Sequence, residues 1–340
     1  FCSSGAWSEP LNLTSMPQVL QLSLEEMLQR YDADTLSLSD LQRHGADAHL
    51  LALDAKGAPS ARCSLWWNNV PQLPDQKPGL IGHFESRDDS SSLALLTTAC
   101  DELKTRGRTL AIAPIDGSTW NRYRLVTDFG TQPPFFLEPI NPPQYPGHFT
   151  SAGFTSLATY SSALNTNLSF EDPKIETIRR RMHDAGIHIR PINPHHFDAE
   201  LKRIYLISAI AFRRNYLYTP VSEEDFLSQY ARIRPVLQGE LVLIAEQDAR
   251  PVGFMFGLSD MLARAPNAPQ TVILKTLAVL PERTKAGLGG LLIAECQNAA
   301  RRLGYTRSIF ALMHDSNASR SISSRYATPM RRYTLFGKPL

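Results

Sequence analysis

The sequence contains one structural pattern twice. Residues 49–67 and 241–258 each hold two strand-like segments around a short polar turn, "DAKG" in one and "QDAR" in the other. Each hairpin pattern is followed by an apolar strand, a loop, a helical pattern that ends in glycine, and a further apolar strand. The hairpin recurs after 192 positions, from residue 49 to residue 241, and the helix-ending glycines Gly107 and Gly304 are 197 positions apart. This spacing predicts a duplicated unit.

The duplicated unit determines the expected fold class. After each hairpin come a strand, a helix and a strand, at 79–84, 92–107 and 109–115 in the first copy and at 271–280, 288–304 and 308–313 in the second. Strands that alternate with helices favour parallel neighbours, whereas hairpins add antiparallel pairs. We therefore expect an α/β protein (an α+β mixed sheet) with two tandem domains, each a twisted mixed β-sheet flanked by helices.

A proline-rich connector and a helix separate the two copies. Six prolines lie between positions 133 and 146, and proline fixes φ and lacks an N–H group, so we expect residues 131–149 to be extended. A closing strand at 153–164 and a helix at 173–186 follow. The predicted divisions are an uninformative segment 1–15, a first domain 16–170, a linker helix 171–185 and a second domain 186–340.

Composition excludes several classes of function. The 340 residues have a formal net charge of +2, with 43% hydrophobic and 20% charged residues, which is typical of a globular protein. Nucleic-acid binding and attachment to an anionic membrane both need a concentrated basic face, so we expect neither partner. The densest basic run, "IETIRRRM" at 175–182, is better explained as a solvated helix face than as a phosphate site.

Cysteine usage and hydropathy indicate a reducing compartment. Cys2, Cys63, Cys100 and Cys296 lie far apart and form no CxxC motif, so we expect neither a metal site nor a disulfide framework. No stretch approaches the ~18 apolar residues that span a bilayer, and residues 1–15 lack the pattern of a signal peptide. These features favour a cytoplasmic protein. The internal duplication is compatible with either a monomer that contains a pseudo-dimer or a homodimer.

A glycine-rich turn precedes the helix of the second copy. In "TKAGLGG", residues 284–290, small residues stand where the chain passes from strand to helix. A helix N-terminus offers unpaired N–H groups and a partial positive charge, and glycine lets those amides approach an oxyanion closely. The turn therefore predicts a phosphate site, although a plain strand-to-helix turn with glycines for close packing has the same pattern.

Two common phosphate motifs do not match, and a third family does. The dinucleotide fingerprint GxGxxG fails because Leu292 occupies the third glycine position, and the only Gly-Lys pair, at 337–338, is followed by proline, which excludes a P-loop. "LAVLPE", then "TKAGLG", a helix and a strand instead resemble the GNAT superfamily of acyl-CoA N-acetyltransferases, whose CoA loop is Gln/Arg-x-x-Gly-x-Gly/Ala. Thr284 stands at the Gln/Arg position, with Arg283 just before it.

The resemblance extends beyond the loop. "IRPI" (189–192), "NYLYTP", "KTLAVLP" and "MRRYTLF" are similar to a two-domain branch of the superfamily, closely over about 186–340 and in outline over the first half. In this family a bulge in the fourth strand, here "KTLAVL", opens a gap to the fifth strand, and pantetheine lies in that gap. The resemblance implies acetyl-CoA as co-substrate, contacted by Leu277, Ala278, Val279, Thr284, Lys285, Ala286, Gly287, Leu288, Gly289, Gly290 and Asn317.

The same resemblance implies catalytic and acceptor residues. Tyr326 occupies the place of a tyrosine that returns a proton to the leaving thiolate; the reference pKa values are about 10 and about 8.5. Tyr333 is its rival, but "RRYTLF" favours a strand in which a tyrosine packs. His314, just after the fifth strand, is a candidate general base because histidine titrates near neutrality. Tyr218 and Asp260 are candidate contacts to the amine acceptor.

The first copy lacks these features. Its equivalent loop, "ESRDDSS" at 85–91, has no glycine and carries three carboxylates, which would repel a pyrophosphate. We therefore expect a degenerate first domain and, in the C-terminal domain, an acetyl-CoA-dependent N-acetyltransferase site that needs no metal and acts on an unidentified small-molecule or peptide amine. The alternative is a CoA-binding sensor or scaffold without turnover.

Overall fold

The computed structural model describes residues 17–30, 37–169, 172–263, 270–316 and 318–340. Within these ranges thirteen β-strands belong to one mixed sheet, and helices pack on its faces. No helix in the described part of the chain is both long and apolar enough to cross a bilayer.

The first copy contains seven strands and four helices among the described residues. The strands are β1 (Gln18–Leu22), β2 (Ala48–Leu53), β3 (Pro59–Trp66), β4 (Pro78–Ser86), β5 (Leu110–Ala113), β6 (Leu125–Asp128) and β7 (Thr155–Asn165). The helices are α1 (Leu24–Arg30), α2 (Leu38–His44), α3 (Asp89–Thr105) and α4 (Tyr145–Ser151).

The second copy begins with the linking helix. Its strands are β8 (Ile187–Pro191), β9 (Val242–Gln247), β10 (Arg250–Ser259), β11 (Thr271–Val279), β12 (Arg307–His314) and β13 (Thr328–Pro339). Its helices are α5 (Lys174–Asp184), α6 (Phe197–Ala211), α7 (Glu223–Ala231), α8 (Leu288–Arg302) and α9 (Ala318–Ser323).

The two copies have the same strand topology, which confirms the duplicated mixed α/β architecture. In the first, β2, β3 and β4 are successive antiparallel neighbours, and β5 lies parallel to β4 after the crossover through α3. In the second, β9, β10 and β11 are antiparallel, and β12 lies parallel to β11 after the crossover through α8. A helical crossover is the connection that parallel neighbours require.

The last strands of the two copies are exchanged. The strand order is β1-β2-β3-β4-β5-β13-β7-β12-β11-β10-β9-β8, so β13 of the second copy lies between two strands of the first. In turn, β7 of the first copy pairs with β12 of the second, from Ser308 opposite Asn165 to His314 opposite Tyr160. This exchange joins the copies into one continuous sheet.

Apolar periodicity explains how the helices pack. In α8, Leu288, Leu292 and Cys296 recur every four residues, and all three are fully buried. The neighbouring strands are apolar on both sides: Met255 of β10 belongs to the core under α8, whereas Phe254 belongs to the core under α6. The second copy is therefore covered on both faces, as a sheet with parallel neighbours requires.

One sequence expectation for the connector is wrong in part. The segment 131–149 was expected to be extended throughout, but residues 145–151 form α4. Pro146 stands in the first turn, where its missing N–H costs no intrahelical hydrogen bond. Burial of Tyr145 and Phe149 against the first copy stabilises this short helix.

Candidate active site

A gap opens between the two parallel central strands of the second copy. β11 and β12 pair only from Thr271 opposite Arg307 to Leu274 opposite Phe310. Beyond this point the register between β11 and β10 shifts and leaves Lys275 as an extra residue, which is a β-bulge. On the other side Leu312 adopts φ 58°, and its amide donates to the Ser162 hydroxyl at 3.0 Å. Both strands thus turn away from each other at the same level.

This gap leads into a cavity of about 1260 Å³ that both copies line. One wall is formed by the splayed ends of β11 and β12, residues 274–277 and 310–314. The opposite wall comes from segments of the first copy and from the chain after α6. Its aromatic residues are Trp120, Tyr123, Tyr160, Phe212, Tyr216, Tyr218 and Tyr230. A concave, partly aromatic space of this size is typical of a small-molecule site.

The glycine turn begins α8 with unpaired amides. Gly287 is the residue before the helix, with φ 89°, and no side chain caps the helix. The Lys285 amide donates to the Glu282 carbonyl and the Leu291 amide to the Gly287 carbonyl. Within the described ranges, no acceptor is recorded for the amides of residues 288–290. They can therefore bind an anion such as a diphosphate.

The surroundings of the turn also suit an anion. Arg181 of α5 donates a hydrogen bond to the Ala286 carbonyl, which brings one residue of the "IETIRRRM" run to this turn. A Cβ atom on Gly289 would lie 3.4 Å from the Leu277 side chain, and Leu277 lines the cavity. The turn and the gap are thus adjacent. Lys285 is only 4% exposed and pairs with Glu282.

The predicted backbone contacts lie on the splayed part of β11. Leu277, Ala278 and Val279 pair with β10 on one side only, because β12 has already diverged. Their other edge therefore faces the gap. Thr284 is exposed at the turn, and Leu288 is buried at the start of α8.

The two predicted catalytic side chains lie in different surroundings. His314 lines the cavity, its ring 4.9 Å from that of Tyr160, and its Nδ1 lies 2.8 Å from the Ser316 hydroxyl. Burial lowers the pKa of His314. The nearby Asp315 carboxylate acts to raise it and the Arg124 charge to lower it, and the net shift is downward. Tyr326 is half-buried and stacks on Phe310, with ring centroids 6.3 Å apart. Burial raises the pKa of Tyr326.

Of the two predicted acceptor residues, one lines the cavity and the other does not. Tyr218 lines the cavity, with its ring 6.2 Å from that of Trp120. Asp260 instead holds the proline-rich connector: its carboxylate accepts hydrogen bonds from the amides of Phe136 at 2.9 Å and Leu262 at 3.1 Å. Asn317, predicted to contact the pantetheine arm, lies outside the described residues.

Two cavity residues were missed by the sequence analysis. Lys275 is the bulge residue of β11; its Nζ donates to the Leu137 carbonyl at 3.2 Å. It is half-buried in the cavity wall, and burial, followed by the Arg124 charge, lowers the pKa of Lys275 to about 8. A single lysine inside "TVILKTLAVL" was an available signal for this position. Arg124 gave no comparable signal.

The equivalent positions in the first copy are closed. The carboxylate of Asp88 accepts from the Ser91 amide at 2.7 Å and so caps α3. β4 and β5 also stay together, because the Ile115 amide donates to the Ile81 carbonyl at 2.9 Å. A Cβ atom on Gly82 would lie 2.2 Å from the Ile115 carbonyl oxygen, so this gap has no room for a ligand.

A buried polar cluster occupies the closed gap. The ligand atoms of His44, His83 and Asp116 lie within 4.8 Å of one another, close enough for a metal ion. His83 corresponds by the 192-residue shift to Lys275 and is fully buried. His44 Nδ1 and His83 Nε2 are 2.8 Å apart, so a hydrogen bond already joins the ring nitrogens that a metal would use. The expectation that the protein needs no metal therefore stays a prediction.

The sequence of the second copy matches a known family. Residues 202–322 match the acetyltransferase (GNAT) family. Among curated proteins, Protein YghO of Escherichia coli (strain K12) is 23% identical over 188 residues, which cover 54% of this chain and 47% of that protein. The chain thus spans about half the length of this relative.

Solved structures show the same fold over nearly the whole chain. A conserved protein of unknown function from Enterococcus faecalis V583, described as a probable N-acyltransferase, aligns with a TM-score of 0.55 and 9% identity over 95% of this chain and 72% of that one. A GCN5-related N-acetyltransferase from Anabaena variabilis ATCC 29413 aligns with a TM-score of 0.51 and 10% identity, covering 95% and 73%. At such identities the likeness concerns the fold alone.

Proposed function

We propose that this chain, whose residues 202–322 match the acetyltransferase (GNAT) family, is a tandem of two such units, and that its second copy transfers an acetyl group from acetyl-CoA to an amine. Two adjacent features carry the proposal: the gap beyond Leu274, and the amides of residues 288–290, for which no acceptor is recorded among the described residues. The amides suit the diphosphate of CoA, and the gap suits its extended pantetheine arm. The working unit corresponds to residues 186–340.

The chemistry requires a neutral amine and a polarised thioester. A backbone N–H of Leu277, Ala278 or Val279 would donate to the thioester oxygen, where negative charge develops. The amine nitrogen then forms a C–N bond to the acetyl carbon as the C–S bond breaks. His314 would accept the proton that the amine loses, directly or through water, since burial keeps its imidazole neutral at pH 7.

The leaving thiolate needs a proton to complete the transfer. Tyr326 would donate it and would later recover a proton from solvent. The raised pKa of Tyr326 keeps its hydroxyl protonated at neutral pH, as a general acid requires. Tyr326 packs on Phe310 and is not among the residues that line the cavity; of the described tyrosines that do, Tyr160 lies nearest the proposed base, its ring 4.9 Å from that of His314.

A matched pair of glycine variants tests cofactor binding. Gly287→Ala would force alanine to φ 89° and bring its Cβ within 3.1 Å of Ile178, and the resulting shift moves the amides. We expect the Kd for acetyl-CoA, measured by calorimetry, to rise roughly tenfold. Gly304→Ala, at the other end of α8 with φ 90° and nothing near its Cβ, carries similar strain and should leave the Kd unchanged. Equal Kd values in both variants would refute the proposed loop contact.

Turnover distinguishes an enzyme from a CoA sensor. With Tyr326→Phe, we expect kcat for release of the CoA thiol to fall roughly 10- to 100-fold while the Kd for acetyl-CoA stays within twofold. Tight binding of acetyl-CoA without thiol release, for every amine in a broad panel, would instead support the sensor.

A further inference from the structure

Arg124 is a buried cation inside the cavity with no anionic partner in the described structure. It is only 7% exposed, and its Nε is buried without a hydrogen-bond acceptor. Its one recorded side-chain hydrogen bond runs from Nη1 to the Tyr123 hydroxyl at 2.9 Å, a neutral group. Burying a guanidinium without an anion is costly. The position therefore calls for a negative group that enters with a ligand.

The acidic residues of the cavity are already paired. Asp40 pairs with Arg43 and Arg232, and the Glu138 carboxylate lies 2.8 Å from Arg331. Asp116 faces Arg122 at 3.5 Å. Six basic side chains and three acidic ones line the cavity, so its lining carries an excess of positive charge. Glu138 also acts on Lys275, whose pKa its charge raises in part, whereas no described carboxylate pairs with Arg124.

Two tyrosine rings flank the Arg124 guanidinium without supplying an anion. Its Cζ lies 4.1 Å from the ring centroid of Tyr123 and 4.2 Å from that of Tyr160. These two rings are nearly perpendicular, with centroids 5.6 Å apart, so they do not enclose the guanidinium from both faces. Planar guanidinium groups bind carboxylates through their edge, in the plane. Arg124 also adopts φ 64°, a conformation that non-glycine residues take at a cost.

Arg124 also lies close to the gap. Tyr160, whose ring lies beside the Arg124 guanidinium, also packs against His314 at the end of β12. An acceptor anchored at Arg124 would therefore extend its amine toward the splayed strands, where the acetyl group is proposed to lie.

We propose that the acceptor is an amine that also carries an anionic oxyacid group, in the first place a carboxylate, and that Arg124 binds this group. The proposal rests on the proposed acetyl transfer and adds the class of acceptor. Carboxylates and phosphonates share the chemistry that a guanidinium recognises, so both belong in the test. Amines without an acid group leave Arg124 unpaired and should be poor acceptors.

Matched acceptors test the proposal on the unmodified protein. Each of several scaffolds is supplied as the bare amine, the carboxylate and the phosphonate, for example phenethylamine, phenylalanine and 1-amino-2-phenylethylphosphonate. We expect kcat/KM for thiol release to be roughly 10- to 100-fold higher for an acid-bearing member than for its bare amine. The ratio of carboxylate to phosphonate identifies the group. Bare amines that react as well as their acid-bearing partners would overturn the proposal.

Variants of Arg124 then test whether this residue causes the preference for acid-bearing amines. Arg124→Gln should remove the preference for acid-bearing amines and leave the Kd for acetyl-CoA unchanged, and Arg124→Lys should retain part of the preference. Arg106→Gln is the control: Arg106 also stacks on an aromatic ring, that of Trp67, but pairs with Glu102 far from the cavity. If Arg124→Gln does not fold, the acceptor panel on the unmodified protein still decides.

Acetyl-CoA binding and consumption distinguish failure of the proposed function from failure of the acceptor proposal. If acetyl-CoA neither binds nor is consumed, the transferase assignment fails whatever Arg124 does. In that case calorimetry with phenylalanine and phenethylamine alone still tests the acid site. Weaker binding of the bare amine, with the difference abolished in Arg124→Gln, supports the site, and equal binding of the two compounds refutes it.

Discussion

Three basic side chains from different strands and segments line the cavity. Arg124 comes from the first copy, Lys275 from the bulge of β11, and His314 from the end of β12. The Arg124 charge adds to burial in lowering the pKa of both Lys275 and His314. The arginine charge therefore favours the neutral form of both bases. For His314 this is the form that accepts a proton from an amine, whereas Lys275, with a pKa of about 8, stays largely protonated at pH 7.

The protonation of Lys275 can be tested through stability. Its pKa is about 8 in the folded protein, against about 10.4 when unfolded. Between these values the unfolded chain binds more protons, so the free energy of unfolding should rise with pH across this window. Lys275→Met should be more stable at pH 7 by about 1–2 kcal/mol, allowing for water in the cavity.

The same variant should lose the rise in stability between pH 8 and about 10. Urea unfolding at several pH values measures both effects. Lys56→Met, in the exposed turn between β2 and β3, is the control and should keep the slope of the wild-type protein. Parallel pH profiles for the wild-type and Lys275→Met proteins would show that Lys275 titrates normally.

At the scale of elements, two equivalent helices differ in how they begin. α8 starts with Gly287 and leaves its first amides unpaired, whereas α3 starts with Asp88, whose carboxylate accepts from Ser91 and from the hydroxyls of Ser60 and Ser90. A capped helix N-terminus cannot bind phosphate with the same amides. This difference supports a single acetyl-CoA site per chain.

The cap on α3 should contribute measurable stability. Asp88→Ala should lower the free energy of unfolding by about 1 kcal/mol at pH 7, and Asp88→Asn by less, because asparagine keeps an acceptor oxygen. Partial burial acts to raise the pKa of Asp88, but hydrogen bonds from Ser60 and from the Ser91 amide outweigh it, so the pKa is lowered.

The pH dependence follows from that lowered pKa. The stabilisation by Asp88 is present above its unfolded pKa of about 3.9 and is lost as the pH falls through the lower folded value. Urea midpoints of the wild-type and alanine proteins should therefore converge toward acid pH. An alanine variant as stable as the wild type at pH 7 would mean that the cap contributes nothing.

Local elements were predictable and distant contacts were not. The hairpins, parallel strands and crossover helices of both copies follow from apolar periods and from glycines such as Gly107 and Gly304, which take φ 71° and 90° after their helices. Short elements such as α2 and α7 were not predicted. The glycine turn at 284–290 is equally local. The pairing of Arg124 with a cavity wall that contains Lys275 depends on segments about 150 positions apart, which no local pattern reveals.

At the scale of the whole molecule, the exchange of β7 and β13 ties the copies together. β13 lies between β5 and β7, and β7 lies between β13 and β12, so each copy completes the sheet of the other. The sequence pattern of an apolar strand fits any neighbour, so the sequence predicted a mixed sheet in each domain but not the exchange of strands between them. The cavity depends on this arrangement, because both copies line it.

Separating the copies tests the exchange. A protease site inserted between residues 169 and 172 allows the chain to be cut after folding, and we expect the fragments to elute together in size-exclusion chromatography. Residues 172–340 expressed alone should be largely insoluble, because β12 lacks its neighbour β7. Co-expression with residues 17–169 should restore solubility. A soluble, monomeric 172–340 fragment with native circular dichroism would argue against the exchange.

The exchanged strands also bear on how such a duplicated chain diverges. Mutations that abolish ligand contacts in the first copy, such as an acid at position 88, leave the second copy intact. Loss of β7 would instead expose the edges of both β12 and β13 in the middle of the sheet. Selection can thus relax on the chemistry of one copy while it continues to preserve that copy's backbone, because the other copy's strands need it as a neighbour.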